Sequence, residues 1–231
     1  EFLTPFKFYK DAPRMITWKA QVVRETDGLV ARVTLESKLA RLQGIVDLTS
    51  HFKGKVHLVP FSQPRKTEKS QPPHWNGSYT ISAQDIYKLY FHGPSFQVLE
   101  GVQKDGDVVL GKLNKQIPPL TGNKNLMLSV PVLVELCFQT AGIWEIGMDG
   151  ALSLPRSIGN LHLYESKVNG VPIYAQVKQQ HTADGERYFD ARVIDSQGLV
   201  YLEIDEYKTA SMLYGVEKSL LSPIEKLIKQ N

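Results

Sequence analysis

The chain reads as an α+β protein in which antiparallel sheet is wrapped around one central helix. Three observations carry this reading. A single long apolar helix pattern occupies residues 129–147, with residues 130–147 as its body. Strand-like runs separated by Gly-containing turns lie before and after it. No helix of useful length is visible before residue 60, so the first strands form a sheet with nothing of their own to cover it.

The N-terminal residues 1–60 alternate in β fashion. Met15–Val23 is rich in β-branched residues, Asp27-Gly28 is a hairpin signal, and Leu29–Ser37 is the returning strand. Gly44–Leu58 supplies a further strand. Residues 61–81 read as a linker, with Pro64, Pro72 and Pro73 set among Lys66, Lys69, Ser70 and Gln71. A short helix capped by Ser82 is predicted over 82–90. A turn at 91–98 then leads into a strand, and Val108–Leu113 follows the Asp105-Gly106 turn.

In the central helix Ser129 is placed to cap, Pro131 fits the first turn, and Gly147 is placed to close the far end in a left-handed conformation. Strands are predicted at 157–163, 173–180, 187–194 and 199–210, with turns at Asn169-Gly170, Asp184-Gly185 and Gln197-Gly198. Residues 82–214 thus form one unit around the helix. Residues 215–231 are a tail whose weak amphipathic pattern over 218–229 fits a surface helix or a link to another domain.

Composition narrows the function classes. The 231 residues are 42% hydrophobic and 22% charged, ordinary for a globular chain. A formal charge of +3 with scattered Lys and Arg gives no nucleic-acid stripe. The one cysteine, Cys137, lies in the apolar helix and is expected as a packed, reduced thiol. No membrane span and no signal peptide are read, and a cytoplasmic location is expected. The chain starts without Met and is taken as a piece of a longer protein. No metal-ligand cluster, phosphate loop or dinucleotide fingerprint is present, so no cofactor is expected.

Chemistry concentrates on the helix. Glu135 and Gln139 interrupt its apolar coat and, four residues apart, share one face. A carboxyl among apolar side chains is retained when it is protonated, paired or functional. Two readings stay open from the residues alone. One is a proton-transfer group; the other is a structural pair with Gln139.

Four motifs give a family resemblance. Phe91-His92-Gly93-Pro94-Ser95-Phe96-Gln97-Val98-Leu99, Pro131-Val132-Leu133-Val134-Glu135-Leu136-Cys137-Phe138-Gln139, Leu154-Pro155 and Thr49–Val56 occur in the order and spacing of the dehydratase domains of type I polyketide and polyunsaturated fatty acid synthases. The resemblance covers nearly the whole chain. It implies a double hotdog whose first hotdog is incomplete here. The Glu in the helix and the Phe-His-Gly-Pro wording are closest to iterative synthases of fatty acid biosynthesis or enediyne type.

The resemblance also implies an activity: loss of water from a 3-hydroxyacyl chain on the phosphopantetheine arm of an acyl carrier protein, giving a trans-2-enoyl thioester. A His from the first hotdog removes the α-proton and a carboxylic acid helps the hydroxyl leave, with a Gln one turn on steadying the acid. Glu135 and Gln139 stand at those acid positions. His92, Gly93, Pro94, Phe96, Val132 and Leu136 are the expected substrate-binding residues. Implied partners are the acyl carrier protein and neighbouring synthase domains, with a homodimer as a further expectation.

Two departures weigh against catalysis. Glu replaces the family's Asp, moving the carboxyl out by about one methylene where sub-ångström placement counts. The family's His-x-x-x-Gly-x-x-x-x-Pro motif is only mimicked by His51-Phe52-Lys53-Gly54, with its Gly one residue early. His51 is therefore expected as a strand residue of the first unit, and His57 as structural. His92 stands where the motif has Tyr, with substrate contact and turn stabilisation both open. His74, His162 and His181 have no motif support. A non-catalytic dehydratase-like domain that scaffolds or binds the chain is the alternative. A hotdog thioesterase is disfavoured by the Gly-Pro-x-Phe-Gln motif and the double unit.

Overall fold

The structure is a computed structural model describing residues 1–6, 14–26, 28–40, 46–60, 67–77, 81–115, 129–164, 170–215 and 218–229. The chain divides into two units, Glu1–Pro64 and Arg65–Asn231. Of the expected turn and strand starts, Asp27, Gly44 and Asn169 lie outside the described residues.

The first unit is a three-stranded antiparallel sheet in the order β1 (Met15–Glu25), β2 (Gly28–Ala40), β3 (Val46–Leu58). Period-two alternation sorts its faces. The register aligns Trp18 with Leu35 and Phe52, and Val22 with Ala31 and Val56, so one face is apolar across all three strands. Trp18 meets Phe52 edge-on at 6.2 Å between ring centroids. Trp18, Val22 and Val56 are nonetheless exposed, and among the described residues this unit has no helix to cover them.

The second unit holds β4 (Glu68–Lys69), β5 (Ile81–Ser82), α1 (Ala83–Ile86), a 3-10 turn at Pro94–Phe96, β6 (Leu99–Asp105), β7 (Val108–Leu113), α2 (Ser129–Asp149), β8 (Ala151–Ser157), β9 (Asn160–Leu163), β10 (Ile173–Ala183), β11 (Glu186–Asp195), β12 (Leu199–Gly215) and α3 (Lys218–Lys229). Its nine strands run β4-β12-β11-β10-β7-β6-β5, with β8 and β9 both paired to β12. The long β12 makes this possible. Residues 202–205 take β9 and residues 208–215 take β8.

α2 is the core of this unit. Leu136, Cys137, Ala141, Ile143 and Ile146 are completely buried against the sheet residues Val109, Ala175, Val177, Phe189 and Val193. By length and apolarity alone Val130–Asp149 would pass as a bilayer-spanning helix, a run the sequence reading did not find. Here sheet and α3 cover much of it instead.

Four expectations are corrected. First, α2 does not end at Gly147. It continues to Asp149, and Gly150, at φ 69°, closes it through its N–H to the Ile146 carbonyl at 2.9 Å. Gly147 serves close approach: a Cβ there would lie 2.4 Å from Ile228 Cγ1 and 3.0 Å from the Ile224 carbonyl oxygen. Second, the pattern of the tail helix α3 is stronger than weakly amphipathic: Ser222, Pro223 and Lys226 are exposed on one face. Leu221, Ile224, Leu227 and Ile228 are buried, so its apolar stripe belongs to the core.

Third, residues 67–77 of the expected linker lie against the sheet. β4 pairs with β12, the Ser70 N–H reaches the Gly198 carbonyl at 2.9 Å, and Trp75 packs on Tyr174 at 5.3 Å. Proline there marks an edge segment that is docked rather than free. Fourth, the strand expected at 157–163 is two strands, β8 and β9, and α1 is a single turn rather than a helix over 82–90. The side chain of Ser129, expected as the cap of α2, lies outside the described residues.

The α2–α3 contact yields a prediction. Gly147→Ala improves intrinsic helix propensity but drives a methyl into Ile228, so the protein should lose about 1–3 kcal/mol. Chemical denaturation of the variant beside the wild type measures this.

Candidate active site

Three elements bring polar side chains onto one side of α2. The 3-10 turn carries Phe96, the preceding turn carries His92, and the residues after α1 carry Tyr87 and Tyr90. Gln139 is the hub, only 2% exposed. Its Nε2 donates to Glu135 Oε1 at 2.8 Å and to the Phe96 carbonyl at 2.7 Å. Its Oε1 accepts the Tyr87 hydroxyl at 2.8 Å, and that hydroxyl in turn accepts the Leu99 N–H at 2.7 Å. The Tyr90 hydroxyl donates to the Gln139 carbonyl at 2.7 Å. Every polar atom of the Gln139 side chain is thus used, which fixes the carboxamide and through it the Glu135 carboxyl.

Glu135 is less enclosed than Gln139, its side chain 20% exposed, and His92 Nε2 lies 3.1 Å from Glu135 Oε1. The imidazole is held by rings on two sides: Phe91 stacks at 4.9 Å and Tyr90 meets it edge-on at 5.3 Å. The Gln97 side chain donates to the His92 carbonyl at 3.1 Å, tying the turn down. His92 Nδ1 is buried without a hydrogen-bond partner.

A cavity of about 190 Å³ runs along this face of α2. Of the residues singled out from sequence, Glu135, Gln139 and His92 border it. Gly93, Pro94, Phe96, Val132 and Leu136 do not. The turn residues shape the backbone that presents His92 and the Phe96 carbonyl, and Leu136 is fully buried in the core. The reason is angular. Leu136 is one step of about 100° round the helix from Glu135, whereas Phe138 and Gly142 follow at i+3 and i+7 on the cavity side. Leu154-Pro155, one of the family-like motifs, forms part of the opposite wall.

Sequence reasoning missed one functional candidate. Glu145, ten residues beyond Glu135 on the same stripe, also borders the cavity and is 3% exposed. The i, i+3, i+7, i+10 series Glu135, Phe138, Gly142, Glu145 was the available signal. The Thr209 hydroxyl donates to Glu145 Oε1 at 2.5 Å, and Oε2 has no hydrogen-bond partner. Burial pushes this carboxyl up to about 7, with the Thr209 and Ser153 hydroxyls and the Arg187 charge pulling back and Asp149 pushing up further. Arg187 itself is clamped on Asp149 at 2.5 and 2.7 Å.

His51 stands apart from this chemistry. It lies on β3 of the first unit, 6% exposed, with Nε2 2.7 Å from Ser37 Oγ and Nδ1 2.9 Å from the Thr4 carbonyl. Both nitrogens are engaged in structural hydrogen bonds. Cys137 is fully buried, which pushes its thiol well above the ordinary range. Among the described residues no group of three His, Cys, Asp or Glu side chains is placed to hold a metal ion.

With this geometry in view, comparisons place the chain. A family model described as the polyketide synthase dehydratase N-terminal domain matches residues 64–214, and the chain belongs to that family. None of the curated proteins compared matches it. Among solved structures, a trans-AT PKS dehydratase domain from Brevibacillus brevis is 20% identical, with a TM-score of 0.67 over 91% of this chain and 74% of that one. The dehydratase domain from the CurF module of the curacin polyketide synthase is 16% identical, with a TM-score of 0.66 over 91% and 73%. A trans-acyltransferase polyketide synthase enoyl-isomerase is 11% identical, with a TM-score of 0.54 over 90% and 77%. At these identities the likeness shows the fold, which is the hotdog architecture expected from sequence.

The buried carboxyl of Glu145 has a pH consequence. Its value in the folded state, about 7, lies above an ordinary 4.5, so the folded state binds more protons between these limits. Stability therefore falls as pH rises through this window and stays lower above it, by about 3 kcal/mol. Denaturant titrations at pH 5 and pH 8 should show the wild type losing stability and Glu145→Gln losing much less.

Proposed function

We propose that this chain is a dehydratase-type domain acting on a 3-hydroxyacyl thioester bound along α2. The observation that carries this reading is the His92–Glu135 couple, 3.1 Å apart at the cavity and anchored by Gln139. The elimination needs an acid for a poor leaving group and a base for a weakly acidic carbon. Glu135 gives a proton to the β-hydroxyl as the Cβ–O bond breaks and water leaves. His92 takes the α-proton as the Cα–H pair becomes the double bond. Transfer of that proton from His92 to Glu135 restores both groups, so no other reactant is consumed.

This assignment departs from the resemblance, which draws the base from the first unit. His51, the imidazole of the first unit that comes nearest to the expected motif, is already committed to Ser37 and Thr4. Proposed partners are an acyl carrier protein, which presents the thioester, and neighbouring domains of a synthase. A homodimer and a cytoplasmic setting rest on the resemblance. No cofactor enters this chemistry.

The second reading is a chain-binding domain without turnover. It is favoured by the committed His51 and by Glu in place of the family's Asp. The cavity and the Gln139 network serve binding whichever proton-transfer groups operate.

Assay of enoyl formation from a 3-hydroxyacyl-pantetheine thioester separates the two. Glu135→Gln and His92→Ala are each expected to lower kcat by about 10²–10⁴-fold, and the double variant by little more than either alone, because the two act as one unit. Wild-type turnover in Glu135→Gln would remove the acid assignment. Unchanged turnover in His92→Ala would place the base elsewhere. Binding without turnover in the wild type would establish the second reading.

A further inference from the structure

Two carboxyls border the cavity along α2. Glu135 and Glu145 are ten residues apart on one helix, about 15 Å along its axis, and both border the same space. Between them lies Gly142, whose missing side chain makes room for the Tyr90 hydroxyl, 2.4 Å from where a Cβ would sit; Phe138, Tyr90 and Tyr207 line the space there. The mechanism above uses Glu135 and leaves Glu145 without a task.

Glu145 is not explained as a structural residue. One oxygen is satisfied by Thr209, itself 3% exposed, at 2.5 Å. The other, Oε2, is shielded from solvent and has no partner. A buried polar atom left unpaired is expensive, and folded proteins satisfy nearly all such atoms. Thr209 pins the carboxyl and the Ser153 hydroxyl acts on it from the facing wall, yet Oε2 itself has no hydrogen-bond partner. The facing wall adds the Ser153 hydroxyl beside Leu152, Leu154 and Pro155. Around Glu145 the lining is thus mainly apolar with a few polar groups, the arrangement that orients a ligand carrying one matching polar atom.

We propose that Glu145 is a distal specificity residue that recognises an oxygen substituent, hydroxyl or keto, carried by the acyl chain several carbons beyond the thioester. The proposal rests on the reading that the cavity holds an acyl chain. A chain oxygenated at that point satisfies Oε2. A plain hydrocarbon of the same length buries the carboxyl without a partner, so the pocket discriminates against a fully reduced chain. A protonated carboxyl serves both substituents, since it donates to a keto oxygen and accepts from a hydroxyl.

The test measures binding, not turnover. The probes are non-hydrolysable amide analogues of acyl-pantetheine: one plain straight chain, and a ladder of equal-length chains with a single hydroxyl moved carbon by carbon away from the amide. The full chain is titrated with each. One interior position should bind roughly tenfold tighter than the plain chain, with its neighbours falling off. Glu145→Leu should flatten the ladder and bind the plain chain at least as well as the wild type does, whereas Glu145→Gln should keep the optimum.

Thermal melts accompany each variant, and Glu145→Met is the second apolar replacement if Glu145→Leu does not fold. A flat ladder in the wild type, with all probes bound, overturns this proposal and leaves the acyl-chain reading intact. An optimum that survives the apolar replacement also overturns it. Failure of every probe to bind overturns both.

Discussion

The enclosure of α2 by a single continuous sheet is the constraint on which the second unit depends. A helix apolar on nearly every side is stable only if it is covered on nearly every side. Strands β6, β7, β8, β10 and β11 lie along it, β12 reaches it through side chains such as Tyr207 stacked on Phe138, and α3 packs on it as well. Two glycines show how tight the fit is. Gly147 admits α3, and Gly111 on β7 admits Thr140, whose Oγ1 would lie 2.0 Å from an added Cβ. Close packing of this kind holds α2 in one rotation, and that rotation decides which residues face the cavity.

Placing a polar stripe on such a helix has a physical cost, and the structure meets it unevenly. Gln139 is fully satisfied by Tyr87, Phe96 and Glu135. That network makes the carboxyl of Glu135 a positioned group rather than a mobile one, as proton transfer requires. Glu145, in contrast, is half satisfied, and His92 Nδ1 is unpaired. Among the described residues of the second unit both such atoms border one cavity, where a ligand can complete them.

The first unit has the opposite character. Its sheet shows one apolar face running through Trp18, Leu35 and Phe52, and its buried histidine is a structural residue. The two units therefore divide in kind: an open sheet in one, a closed sheet-and-helix core with the polar cavity in the other.

Much was legible in sequence because it depends on local pattern. The α+β class, the start and body of α2, the strands over Met15–Val23 and Val108–Leu113, and the shared face of Glu135 and Gln139 follow from period, turn residues and spacing. The family-like motifs likewise pointed to the family the chain belongs to. What stayed hidden depends on how the elements meet. The role of Gly147 is set by the position of α3, not by its neighbours in the chain. Residues 67–77 look like linker because prolines and lysines are read locally, while their hydrogen bonds go to β12, far away in sequence. His92 reads equally as a substrate contact or a turn residue, and only the folding of the Gly93–Phe96 turn against α2 brings its ring to Glu135. Glu145 lies on the cavity stripe, but only the arrival of β12 with Thr209 and of β8 with Ser153 makes it a buried, half-paired group. Period and propensity are properties of a segment; burial and the pairing of a polar atom are properties of the whole enclosure, and only the folded chain sets them.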